Sequence, residues 1–206
     1  MKMKSRPVER RPYRQGARAQ AAEETGQRIL DAFLVRLGEQ WFDEITLDAL
    51  ALDAGVTVQT IVRRFGGKQG LLEAARESLG REVENRRGTV VGDIARAVDA
   101  VLADYEADGD FIMRLLAQED RYPVLRVVSD YGRAGHREWI ARTFAPWLDP
   151  LQPAARQATL DALVVATDLY VWKLVRRDMR RPLPAVRAVV TAMIKAALAA
   201  APSKET

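Results

Sequence analysis

The chain has no cysteine and a single histidine, His136, in 206 residues. Without cysteine there is no disulfide staple, no thiolate nucleophile and no Cys-based zinc site, and one imidazole leaves almost no material for a His-based metal centre. Neither a metal nor a cofactor is expected. No stretch reaches the roughly 20 apolar residues of a membrane span. The opening residues, MKMKSRPVERRPYRQGARAQ, are basic but lack the apolar run of a signal peptide. The expectation is a cytoplasmic protein with no membrane partner. Also missing are a nucleophile elbow, a phosphate loop and any carboxylate and histidine cluster at metal spacing, so an enzyme is not expected. Sustained strand-like alternation and internal repeats are absent too, which points to an all-α fold.

What is present is a core-forming composition, 48% hydrophobic and 29% charged, long enough for two unequal domains. Net charge is only +4, but its placement is uneven. Lys2, Lys4, Arg6, Arg10, Arg11, Arg14 and Arg18 face only Glu9 within the opening arm, an asymmetry that suggests a polyanion partner. An idle, solvated tail is the alternative for that arm.

From Glu23, Ile29, Leu30, Phe33, Leu34 and Leu37 recur at helical spacing, with Arg28, Asp31, Arg36 and Glu39 opposite. Thr46 then stands as an N-cap before Leu47, Leu50, Ala51 and Ala54, with Asp48 in the first turn. Gly55 can take the left-handed conformation that ends this short helix, and Thr57 can cap a third. On the third, Val58, Ile61, Val62 and Phe65 form an apolar side, while Gln59 with Arg63 and Thr60 with Arg64 form two polar ridges. Two helices joined by a glycine turn, the second with an outward polar face, make a helix-turn-helix pattern, in which the second helix enters the DNA major groove. Gln pairs bidentately with adenine and Arg with guanine, each contact discriminating by about 1–3 kcal/mol.

The run ITLDALALDAGVTVQTIVRRFGGKQGLL resembles the N-terminal signature of the TetR family of transcriptional regulators, with the likeness covering Arg28 to Leu72 without a gap. Its elements are Ile29, Leu30, Thr46, Ala51, the Ala54-Gly55-Val56-Thr57 turn, Thr60-Ile61, Phe65, Lys68 and Leu71. The resemblance implies that Thr46 and Lys68 hold the DNA backbone while the third helix reads bases. The residues expected at the duplex are therefore Thr46, Thr57, Val58, Gln59, Thr60, Arg63, Arg64 and Lys68. Three positions depart from the pattern. Val62 replaces the usual tyrosine, a phosphate donor; Gln59 stands where glycine is common; and Trp41 stands where glycine often closes the first helix. Arg63 and Arg64 could restore backbone affinity by charge, with stronger salt dependence. Given the resemblance, Arg10, Arg11, Arg14 and Arg18 are expected to touch phosphates or a minor groove.

The resemblance further implies a larger helical domain that binds a small effector and dimerises through its last two long helices. The expected organisation is a basic flexible arm over 1–22, a three-helix DNA-binding domain over 23–68, and an effector and dimerisation domain over 69–206, about nine helices in all. Glycine and proline place interruptions near Gly88, Gly109, Tyr122 to Pro123, Pro146 to Pro153 and Arg181 to Pro184. Leu160, Leu163, Val164, Thr167, Val171 and Leu174 make one stripe, with Val165, Leu169 and Trp172 off it, so this segment reads as a helix with two partners. Val186, Val189, Val190, Met193, Ala197 and Leu198 make another, beside the small residues Ala185, Ala188, Ala192 and Ala199. A four-helix interface between two copies satisfies both stripes, and a homodimer would read a roughly palindromic operator in double-stranded DNA.

Candidate effector liners are Phe111, Met113, Leu116, Tyr131, Trp139, Phe144 and Tyr170, although such side chains also build ordinary cores. His136 reads as a surface or interface residue. The function expected is a ligand-responsive DNA-binding regulator, a repressor released by a small molecule. The alternative is an architectural protein that binds duplex without regard to sequence.

Overall fold

Alanine, glutamine, glutamate and arginine are among the better helix formers, and in QGARAQAAEE they act without an apolar stripe. The computed structural model, which describes residues 12–88 and 90–201, accordingly begins helix α1 at Pro12 and runs it to Glu39. Residues 12–22, read from the sequence as flexible arm, are thus helical. Proline suits the first turn because its missing N–H has no intrahelical partner there. Periodicity could not locate this start because propensity, not amphipathicity, sets it. Lys2, Lys4, Arg6, Arg10 and Arg11 lie outside the described residues.

The described residues form two compact units that meet in sequence at Ala75 and Arg76. In the first unit α1 packs on α2 (Leu47–Ala54), and α2 on α3 (Val58–Phe65). The buried residues are Ile29, Leu30, Phe33 and Leu37 of α1, Ile45, Leu50, Ala51 and Ala54 around α2, and Ile61 of α3. Each large apolar side chain so buried contributes about 1.5–3 kcal/mol relative to exposure. Helix α4 (Lys68–Arg87) starts in this unit and buries Leu71, Leu72 and Ala75. Arg36 of α1 and Asp53 of α2 add an ion pair at 2.5 Å, and that guanidinium holds the Asp53 carboxyl below its ordinary range.

The second unit contains α5 (Ile94–Leu116), α6 (Pro123–Thr143), the single turn α7 (Ala145–Leu148), α8 (Pro153–Ala166), α9 (Leu169–Trp172) and α10 (Leu183–Ala199). Its core gathers Val98, Val101, Tyr105, Ile140, Phe144, Leu148, Leu163, Trp172, Val186, Val190 and Ile194. No strand occurs among the described residues.

Two expectations change here. Gly109 does not interrupt a helix: α5 runs through it, and the glycine makes room for Trp172, whose ring would lie 2.6 Å from an alanine Cβ at that position. The segment from Leu160 to Leu174 is not one helix either. α8 stops at Ala166, the Thr167 hydroxyl donates to the Leu163 carbonyl at 2.8 Å, and the Asp168 carboxylate caps α9 by accepting from the Tyr170 N–H at 2.8 Å. α9 then continues into a π-helical stretch, Lys173–Asp178, where Arg176 and Arg177 pair with Glu106 and Asp110 of α5. The extra residue per turn rotates Val175 into the core and leaves Leu174 exposed. Hydroxyl and carboxylate back-bonding to the chain, the signal of this break, is invisible to an apolar periodicity.

Candidate nucleic-acid interface and ligand cavity

The turn between α2 and α3 is built from its caps. The Thr46 hydroxyl accepts from the Ala49 N–H at 3.2 Å, opening α2. Gly55 closes it in the left-handed region, φ 63° and ψ 41°, where the Val56 N–H reaches the Ala51 carbonyl at 2.9 Å. Thr57 accepts from the Thr60 N–H at 3.2 Å and restarts the chain as α3. Thr46 and Thr57 are both exposed, so two helix N-termini face solvent with hydroxyls beside them. Such ends hold phosphate oxygens well, because unpaired N–H groups and the helix dipole act together.

Ile61 anchors α3 in the unit. Gln59 and Arg63, one turn apart, are exposed and bond to no other described residue. Thr60 is half-buried, its hydroxyl shared with Thr57 at 3.0 Å, and Val58 is half-buried as well. Val62 is 45% exposed and offers a methyl surface where a phenol was the familiar choice.

Two of the basic residues expected at the duplex are engaged within the unit. Arg64 reaches back to α1, donating to the Ala22 carbonyl at 2.7 Å and to Glu23 at 2.9 Å. It lies so close over Gly26 that an alanine Cβ there would come within 2.2 Å of the guanidinium. Lys68 donates to the Phe42 carbonyl at 2.5 Å, with its ammonium 4.5 Å from the Phe42 ring centre. Burial lowers the Lys68 pKa, opposed by Asp43. Both cations therefore brace the unit. The polar ridge read from the sequence is real on its Gln59–Arg63 side and engaged with α1 on its Arg64 side. A helical wheel gives direction from the axis, not the neighbour that a long side chain meets.

The second unit holds a half-open cavity of about 510 Å³. Of the candidate effector liners, Phe111, Leu116, Tyr131, Trp139 and Tyr170 lie on its wall; Met113 and Phe144 do not. Met113 packs against the core from the other side of α5, and Phe144 is fully buried beside Trp147, with ring centres 5.8 Å apart. Sequence reasoning missed the polar network that backs this wall at Arg87. Asp104, wholly buried, accepts from Arg87 Nε at 3.0 Å and Nη2 at 2.7 Å, and from Arg86 Nε at 2.9 Å. Arg87 also lies between the Tyr105 and Trp139 rings, 5.6 and 5.3 Å from their centres. Arg86 and Arg87 end α4, and nothing local in the sequence marks Asp104 as their partner.

His136, read from the sequence as a surface or interface residue, is half-buried on the cavity wall. Its Nδ1 accepts from Arg87 Nη1 at 2.9 Å, since a guanidinium can only donate, and its Nε2–H therefore donates to the Thr167 hydroxyl at 3.1 Å. Burial first, then the Arg87 charge, push its pKa down to about 3, against a weaker upward pull from a backbone carbonyl. Between that value and the ordinary 6.5 the unfolded chain binds a proton that the folded chain refuses. This contribution to stability is complete above pH 6.5 and is lost as pH falls toward 3. His136→Gln should therefore flatten the fall in urea stability between those values, by up to about 1.4 kcal/mol per pH unit. An unaltered slope would exclude His136 as a source of acid sensitivity.

Residues 29–75 match the family model described as bacterial regulatory proteins, tetR family. The fold resembles a transcriptional regulator from a Rhodococcus species, with a TM-score of 0.65, 17% identity, and 85% of this chain and 96% of that chain covered. It also resembles a protein from Mesorhizobium loti assigned to the TetR-family transcriptional regulators, with a TM-score of 0.59, 13% identity, and coverage of 86% and 96%. No curated protein matches the chain by sequence.

Proposed function

We propose that this chain, which carries the N-terminal domain of the TetR family, is a sequence-specific repressor that binds a roughly palindromic operator as a homodimer and is released by a small effector. The observation that carries the reading is the pair Gln59 and Arg63, exposed on a helix that Ile61 anchors and bonded to no other described side chain. Exposed cations and amides of this kind on an anchored helix are free to meet base edges. Thr46 and Thr57 then serve the phosphates on either side. Lys68 and Arg64 hold α4 and α3 in place, and reach DNA only by giving up Phe42 and Glu23.

Pairing of two copies is supported by the outer faces of α8 and α10, which expose Val165 and Val189 among Ala158, Ala162, Ala188, Ala192 and Ala196. Small residues of this kind allow close helix approach. The cavity is the effector site, because a volume of several hundred Å³ with an apolar wall and a few convergent polar groups suits a small organic molecule. Coupling is reciprocal: an effector that weakens operator binding must itself bind more weakly to the operator complex, by the same factor.

Selection of bound fragments from random duplex should return a two-fold related sequence. On that sequence Arg63→Ala should cost about 1–3 kcal/mol and relax preference at one base pair of each half-site. Gln59→Ala should relax a neighbouring one. Competitor duplex of unrelated sequence displacing the operator at equal concentration would instead identify an architectural binder.

A further inference from the structure

The cavity wall contains several arginines, and all but one have a carboxylate partner among the described residues. Arg87 is paired with Asp104, Arg133 with Glu119, Arg137 with Asp161 and Arg142 with Glu138. Arg76, on the cavity wall at α4, has no carboxylate partner among the described residues, and its buried Nε–H has no acceptor. A buried N–H without an acceptor is costly even on a half-buried side chain, and native structures keep one where something outside the protein completes it. The guanidinium is also held in place. It stacks 4.9 Å from the centre of the Tyr131 ring, and that ring is seated on Gly80, one turn along α4, where an alanine Cβ would lie 3.0 Å from the ring. The Tyr131 hydroxyl makes no hydrogen bond to any described residue, and it is carried by the same ring that lies 4.9 Å from the guanidinium.

We propose, on the reading of this cavity as the effector site, that its ligand is an amphipathic organic anion. A carboxylate head docks on Arg76 and the Tyr131 hydroxyl, and an apolar body lies along Phe111, Ile112, Leu115 and Leu116. A planar guanidinium with a free edge suits a carboxylate, which can accept two parallel N–H bonds. The polarity of the site agrees. Glu84, also on the wall, lies two turns beyond Arg76 on α4, roughly 12 Å away by helix rise, and repels an anionic head from that end. Asp168 is occupied in capping α9, and Asp108 is paired with Arg86.

Three probes with one chain and different heads test the inference: decanoate, 1-decanol and decylammonium, each titrated against a cavity-bound naphthyl fluorophore. Decanoate should bind at least about tenfold more tightly than decanol, and decylammonium the least. Arg76→Gln should weaken decanoate about tenfold while leaving decanol within about twofold, which also verifies that the cavity is intact. Arg76→Lys should retain most of the preference for the anion. Equal binding of decanoate and decanol, or a preference unchanged by Arg76→Gln, would overturn the anion assignment and leave the effector reading standing. Failure of the fluorophore and all three probes to bind would remove the effector reading and the anion assignment with it.

Discussion

Gly70→Ala should abolish operator binding while the second unit stays folded. Gly70 lies in the first turn of α4, and an alanine Cβ there would be 1.7 Å from the Phe65 carbonyl oxygen and 2.8 Å from its carbon. Both are backbone atoms at the end of α3, so no rotamer change relieves the overlap. Either α3 or the start of α4 must move. α3 is already fixed by Gly66 in the left-handed region, φ 75° and ψ 0°, and by Ile61 beneath it. Overpacking of this type costs about 1–3 kcal/mol or more, and a small three-helix unit has little stability to lose. Equally important, the displaced helix carries Gln59 and Arg63, and a shift of one ångström or so misaligns a bidentate base contact. The measurement is a mobility-shift titration beside thermal unfolding. Gly16→Ala is the control, because its Cβ meets nothing within 4 Å in the middle of a turn of α1 and should stabilise by about 0.5–1 kcal/mol. Wild-type operator affinity in Gly70→Ala would mean that α3 tolerates displacement and that its placement does not govern recognition.

Asp104→Ala should lower the stability of the second unit by about 3–5 kcal/mol, because it leaves a guanidinium buried without its counter-charge. Arg87 is only 6% exposed and Asp104 not at all, so water cannot replace the missing carboxylate. Arg86 loses a partner as well, but it keeps Asp108 and is partly solvated, so the cost falls on Arg87. The double variant Asp104→Leu with Arg87→Met should recover a good part of the loss, since two apolar groups of similar volume carry no stranded charge. Urea unfolding of these two variants beside the unaltered protein checks this. Arg87 also donates to His136 and backs the cavity, so Asp104→Ala should in addition weaken probe binding there. A loss below about 1 kcal/mol would show that the arginines find other partners and that the network is not a structural centre of the unit.

The first unit was legible in the sequence because its signals are local. Thr46, Gly55 and Thr57 act on backbone groups within four residues of themselves, and Ile29, Phe33, Leu37, Leu50 and Ile61 declare their burial by spacing alone. The same locality explains what was misread there. The helix from Pro12 to Ala22 has propensity but no stripe, and Arg64 is claimed by residues about forty positions away. In the second unit the aromatic liners were half visible. Phe111 and Met113 differ by two positions on α5, so one faces the cavity and the other the core, and only the packed partners say which.

Residue order by itself determined that this protein is helical, that a glycine turn joins a short helix to a second one, and that Gln59 and Arg63 share its polar side. Those outcomes depend on contacts within a few residues, where backbone geometry leaves few choices. Only the tertiary structure decided how each cation is held: Arg64 on Glu23, Lys68 on Phe42, Arg87 between Asp104 and His136, and Arg76 on the Tyr131 ring with no carboxylate among the described residues. Charge pairing acts through space between segments far apart in the chain, and one sequence admits many pairings until the core fixes which helices are neighbours.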